Sequence, residues 1–371
     1  MKHASTAGSL TRQLSTPVVA ERNVDSPPRV RLARITDLAA LVEISRRAQR
    51  AAHDGPAEIR SLGLPIAPAA LSLYQLFRMP LSLIRSSDAI WVHQRGSTLD
   101  GFARVERDVR GDWTIVELAA VDDASRARLV ARVVREAGRH GVVRIHVACR
   151  EDADTLGLLS ASGFQSYARE TLYALNIDRA EPLTRTAHGL VRPGRTGSPL
   201  RAVRAADALP IAQLMTRITP PAVARVELAD ARDWERAAAG EWAPRASISP
   251  LLRLVEGSAY VVDGGAGDID GWVHIGIARE QGEEHPHTLR ITTLPGVDPA
   301  PLIAASLTEI AAGASRAGRE RGVILAVVRS YESGLGGALR AQGFSEIAEL
   351  RLAVRDARAR VSAPGMVPAI G

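Results

Sequence analysis

"HGVVRIHVACREDADTLGLLSASGF", residues 140–164, and "RGVILAVVRSYESGLGGALRAQGF", residues 321–344, share one plan. Each leaves a glycine, runs through an apolar strand-like stretch, passes a polar turn into a short Leu-rich helix and closes on Gly-Phe. Outward from these two stretches the correspondence continues in order. "VRLARITDLAALVEISRRA" matches "LRAVRAADALPIAQLMTRI", and "TLDGFARVERDVR" matches "DIDGWVHIGIARE". Arg34 and Asp37 fall on Arg204 and Asp207, and Asp100-Gly101 on Asp270-Gly271. An echo at so long a period is a duplicated domain, not a solenoid.

The copies give the element order. "RVRLARI" alternates like a strand, and Thr36-Asp37 can cap the helix "LAALVEISRRAQRAA". A second helical region, "APAALSLYQLFRMPLSLIRSS", is interrupted at Pro80. Three strands, "AIWVHQ", "LDGFARVERD" and "DWTIVELAAV", lead to a helix from Ala124 to Arg139. The stretch "FQSYARETLYALNI" reads as a last strand pair. This predicts an α+β fold of two tandem domains, 29–177 and 199–356, each a mixed, mostly antiparallel sheet flanked by helices. Residues 1–28 and 357–371 read as tails, and the Pro/Gly/Arg-rich 178–198 as a linker.

Composition narrows the function classes. The chain of 371 residues carries a net charge of +6, but Lys2 is its only lysine and the arginines are interspersed with acids. That is a mixed, solvated surface, and with 4% aromatic residues to stack on bases it points away from nucleic acid. No run is long and apolar enough for a membrane span, and the N-terminal stretch lacks the apolar centre of a signal peptide, so a cytoplasmic location is expected. Cys149, the single cysteine, lies in an apolar strand and reads as an inert core thiol. "EEHPH", residues 283–287, reads as an exposed hairpin tip, and no metal site is expected.

The element order, the Arg-x-x-Asp openings, the Asp-Gly turns and the closing "SGF" and "QGF" resemble the GNAT acyltransferase superfamily across most of the chain. The resemblance implies a sheet splayed between its fourth and fifth strands to admit acyl-coenzyme A, with acetyl-CoA as co-substrate and a small-molecule amine or peptide as acceptor. It also implies a pyrophosphate cradle at the turn after the fourth strand, where helix N–H groups meet phosphate. In the first domain that turn reads "AAVDDASRARL", with Val121, Arg126, Ala127 and Arg128 at the positions that would meet coenzyme A and Asp122 and Asp123 in place of glycines. In the second it reads "LPGVDPAP", with Gly296 but three prolines and a capping Asp298. The general-acid tyrosine that the family often places four residues before the Gly of Gly-Phe is replaced by Leu159 and Leu339. Glu117 stands where the family often carries its base, and a carboxylate among apolar neighbours has the raised pKa a base needs. Tyr167 and Tyr173 read as core or sheet residues with bonded hydroxyls. Two functional readings follow: an N-acyltransferase working through Glu117 in the first domain, or a degenerate GNAT-fold pair that binds a small ligand or protein. The two domains are expected to pack as a monomeric pseudo-dimer or to form a homodimer.

Overall fold

A computed structural model describes residues 27–54, 59–64, 88–108, 110–177, 200–227, 229–238, 249, 257–265, 267–278, 286–318 and 322–357. The helical region around Pro80, the linker, and the tails apart from residues 27, 28 and 357 lie outside the described residues. The first half comprises β1 (Arg29–Leu32), α1 (Leu38–Asp54), β2 (Arg60–Ser61), β3 (Asp88–Arg95), β4 (Thr98–Arg107), β5 (Trp113–Ala120), α2 (Asp123–Arg139), β6 (Arg144–Arg150), α3 (Ala153–Ala161) and β7 (Gln165–Asn176). The second comprises β8 (Arg201–Ala202), α4 (Ala208–Ile218), α5 (Pro221–Glu227), α6 (Ala231–Ala238), β9 (Gly257–Gly265), β10 (Asp268–Gly276), β11 (His287–Thr293), α7 (Ala300–Arg316), β12 (Val323–Arg329), α8 (Leu335–Ala341) and β13 (Ser345–Asp356). No described helix is long and apolar enough to cross a membrane.

The repeated Arg-x-x-Asp opening has a physical cause. Asp37 accepts the Arg34 N–H at 2.6 Å and a forked pair of bonds from Arg31, pinning the strand-to-helix turn. Asp207 does the same with Arg204 and Arg201. Beyond these turns apolar side chains sort onto two faces of the sheet. Leu129, Val130 and Val133 of α2 pack with Trp113, Ile115 and Leu118 on one face, and Leu41 and Ile44 of α1 with Phe102 and Ala119 on the other.

All strands among the described residues join one sheet, in the order β1-β3-β4-β5-β6-β13-β7-β12-β11-β10-β9-β8, with β2 beside β5. The strand pair expected in "FQSYARETLYALNI" is a single 12-residue strand. Residues 165–176 hold no Gly or Pro at which to turn, so the chain runs straight through. The missing return strand comes from the other half. β13 lies between β6 and β7, and β7 lies between β13 and β12, all antiparallel. Each half thus lends its last strand to the other, and Leu172, Leu325, Val327, Ala348 and Leu350 form a core common to both.

The parallel pairs β5/β6 and β11/β12 hold for three residues each, Trp113–Ile115 against Ile145–Val147 and His287–Leu289 against Ile324–Ala326. Past those residues each pair parts into a cleft. β5 also carries one extra residue, Val116, between the partners of Arg104 and Val105, whereas β11 pairs with β10 without a break. Counting back from Gly101 and Gly271 therefore places Glu117 and Arg290 at equivalent positions.

Because the halves exchange strands, they should unfold together. Leu350→Ala, removing a side chain with no exposure, should cost about 2–5 kcal/mol. In urea titrations the Trp91–Trp113 pair reports on the first half and the Trp234–Trp272 pair on the second. Variants retaining one pair or the other should lose the same midpoint on Leu350→Ala; a loss confined to one half would contradict the exchange.

Candidate active site

The first cleft is closed by backbone. β2 pairs antiparallel with the parting end of β5, Arg60 opposite Ala120 and Ser61 opposite Ala119. On the far side the Arg150 N–H of β6 donates to the Leu62 carbonyl at 2.9 Å. The chain then turns at Gly63, where φ is +68° and a Cβ would lie 2.9 Å from that of Arg150, so glycine is required. Leu64 packs against both the first-half core and the core common to the halves.

The helix start beside this cleft is likewise satisfied internally. Asp122 caps α2 by accepting the Ser125 N–H at 2.6 Å, and this bond, with the Ser125 hydroxyl and the charge of Arg95, holds its carboxyl below the ordinary range. Arg126 is buried and directed inward, to Asp123 at 2.6 Å, the Ser61 carbonyl at 3.3 Å and the Thr155 hydroxyl at 3.0 Å. Arg128 is exposed, its guanidinium 3.4 Å from His93 Nε2; Val121 is exposed and gives its N–H to the Asp100 carbonyl; Ala127 is half-buried. These four residues do not converge on one point. Glu117 is buried on β5 opposite Arg104, which also bonds Glu106 at 2.7 Å.

The second cleft is closed by side chains. Glu332, in the turn after β12, reaches into it and accepts both terminal N–H groups of Arg290 at 2.5 and 2.9 Å and the Arg329 backbone N–H at 2.9 Å. The Thr292 hydroxyl lies 3.4 Å from the same carboxylate. Arg329 N–H is the counterpart of the Arg150 N–H in the first half, met there by a carbonyl and here by a carboxylate. The first turn of α7 holds no acid, and Asp298 bonds the Ala300 N–H at 3.0 Å.

Next to Glu332 lies a buried polar network assembled from both halves. The Arg329 guanidinium is 2.8 Å from Glu227 of α5 and 3.3 Å from Glu170 of β7. The Tyr167 hydroxyl donates to Glu227 at 2.6 Å, and the Ser249 hydroxyl to Glu170 at 2.7 Å. Three carboxyl groups thus surround two arginines. Burial raises the pKa of both Glu170 and Glu227 despite the pull of Arg329. Burial also pushes the neighbouring Tyr331 up to about 12, leaving its hydroxyl protonated at neutral pH. For Arg290, burial opposes the charge but Glu332 outweighs it.

Several sequence expectations resolve here. Leu159 and Leu339 are buried core residues, and Cys149, its thiol pushed up to about 12 by burial, is the inert thiol expected. Tyr167 and Tyr173 have bonded hydroxyls, the latter accepting from Arg340 at 3.2 Å. His287 corrects the exposed-tip reading of "EEHPH": it is fully buried in β11 and its Nδ1 accepts the Ala278 N–H at 3.3 Å, because it begins the strand rather than ending the turn. His285 lies outside the described residues. Sequence reasoning missed Arg290, Glu332, Arg329, Glu170 and Glu227. The available signal was an arginine in β11 at the place of Glu117 and an acid in "SYES"; the exchange of β7 had none.

The raised carboxyls give stability a pH signature. The folded chain keeps protons on Glu170 and Glu227 that the unfolded chain releases near the ordinary glutamate pKa of about 4.3. Across the window from that value up to the raised native ones, stability therefore falls as pH rises. Glu227→Gln should flatten that fall in urea unfolding measured at successive pH values; an unchanged slope would show that Glu227 ionises normally.

The sequence matches no family model and no curated protein. Solved structures do match. A tandem GNAT protein from the clavulanic acid biosynthesis pathway, solved without AcCoA, aligns over 90% of this chain and 99% of its own at 16% identity, with a TM-score of 0.51. A GCN5-related N-acetyltransferase from Sphaerobacter thermophilus aligns over 90% and 96% at 15% identity, with a TM-score of 0.50. With the splayed parallel pairs, the bulged β5 and the duplicated element order, this likeness identifies the chain's architecture as the tandem GNAT fold.

Proposed function

We propose that the chain is an acyl-CoA-dependent N-acyltransferase with one working cleft, in the second half. The observation that carries this reading is the contrast between the two closures. The first cleft is filled by backbone that is paired on both sides, and Asp122 and Asp123 stand at its helix start. The second is bridged by one side chain, Glu332, and the start of α7 carries a single acid, Asp298, where the first helix start carries two. An entering phosphate meets less opposing charge there. Acetyl-CoA, the expected co-substrate, supplies an activated thioester carbonyl.

The residues around this cleft cover the remaining chemistry. As the amine nitrogen forms its bond to the acyl carbon, it loses a proton to Glu227, whose basicity burial raises above that of an ordinary glutamate. As the carbon–sulfur bond breaks, Tyr331 gives its proton to the departing thiolate. Arg329 holds Glu227 and Glu170 in place. Glu117 has the weaker claim, since the cleft beside it is occupied by β2.

Calorimetric titration with acetyl-CoA should give a stoichiometry of one per chain, and Glu227→Gln should lower kcat about 100-fold or more with little change in that affinity. Binding at two sites would return the first cleft to consideration. Absence of binding would favour the degenerate ligand-binding pair, the reading supported by the internal closure of both clefts.

A further inference from the structure

Glu332 occupies a cradle whose donors sit on two strands, while Glu332 itself comes from the turn that follows. Arg290 is buried on β11 and anchored by a bond to the Ile291 carbonyl, Thr292 lies two residues along the same strand, and the Arg329 N–H belongs to β12. Glu332 sits in the short turn between β12 and α8, next to exposed Ser333 and Gly334. Gly334 has φ +87°, and no atom lies within 4 Å of where a Cβ would stand. A fork of two Arg290 bonds, a hydroxyl and a backbone N–H all meet on one carboxylate, a geometry that fits a planar two-oxygen anion.

The fold does not itself require this cradle. At the equivalent positions of the first half, Glu117 replaces Arg290 and the Leu62 carbonyl meets the Arg150 N–H. The donors on β11 are thus particular to the second cleft. Because Arg290 is buried, removing Glu332 without replacement leaves an uncompensated charge, whereas exchanging it for another carboxylate leaves the charge balance unchanged.

We propose that Arg290, Thr292 and the Arg329 N–H form the carboxylate subsite of the acceptor, and that Glu332 is its tethered stand-in. The acceptor is then an amine that carries a carboxylate, of amino-acid type. Its carboxylate displaces Glu332, and its ammonium turns toward Glu227 and Glu170, which lie with Arg329 in the same network. The substrate class rests on the acyltransferase reading; the subsite itself is tested without acetyl-CoA.

Two measurements on the full chain decide the matter. In thermal melts, Glu332→Ala should gain about 2–4 °C from sodium acetate over sodium chloride at equal ionic strength, as the small carboxylate refills the cradle. Glu332→Ser, which likewise empties the cradle but keeps a polar side chain in the turn, serves if the alanine variant does not fold. Wild type should gain nothing, and Arg290→Gln should abolish the gain. By calorimetry, wild type should bind an amino acid about tenfold or more tightly than the amine lacking its carboxylate, in at least one of the pairs lysine and cadaverine, ornithine and putrescine, phenylalanine and phenethylamine. Arg290→Gln should erase that preference. Equal or absent binding across every pair, a preference that survives Arg290→Gln, or an acetate gain no greater than that of chloride overturns the proposal. Since neither measurement uses acetyl-CoA, failure of the acyl-transfer reading remains a separate result.

Discussion

Where β5 parts from β6 and β11 from β12, backbone N–H groups on the inner strands lose their sheet neighbours, and a buried donor cannot be left unmet without a cost of about 1–3 kcal/mol. The two halves meet this demand differently. At Arg150 the partner is a main-chain carbonyl delivered by the segment from β2 to Gly63. At Arg329 it is the carboxylate of Glu332. A backbone plug is fixed by pairing along its length, while a single side chain can exchange for another group of like charge. The functional asymmetry proposed for this duplicated chain rests on that difference.

The strand exchange adds a second consequence. β7 belongs by sequence to the first half but pairs with β12 and β13, so Tyr167 and Glu170 are delivered to the network beside the second cleft. Arg144 of β6 reciprocates by donating to the carbonyls of Arg225 and Val226, tying α5 and its Glu227 to the first half. Neither half holds the complete network alone. In this fold duplication need not yield two sites; one half can complete the other's site while closing its own.

Much of the fold could be read from the chain because it depends on local chemistry. Period-two apolar runs, the aspartate-pinned turns at Asp37 and Asp207 and the Gly-Phe closings each fix structure within a few residues, and all appear twice. The Asp122 cap was legible for the same reason. The site was less so. Glu117 was singled out by type and strand position, yet the plug beside it comes from residues 60–64, more than fifty positions earlier and without a distinctive composition. The pairing of Arg290 with Glu332 spans 42 positions, and that of Arg329 with Glu170 crosses between the halves. Nothing local in those stretches marks a charge as buried. The strand pair expected in 165–176 failed because a hairpin was sought within one repeat when its second strand lay in the other.

The most direct test of the account is hydrogen–deuterium exchange on the full chain with and without coenzyme A, read at the amides of β5–β6 and β11–β12. The account predicts that coenzyme A changes protection at residues 290–300 and 327–334 and leaves residues 60–64, 117–126 and 148–150 as they were. New protection, or loss of it, at residues 60–64 and 148–150 with no change around Arg329 would place the ligand in the first cleft and contradict the account.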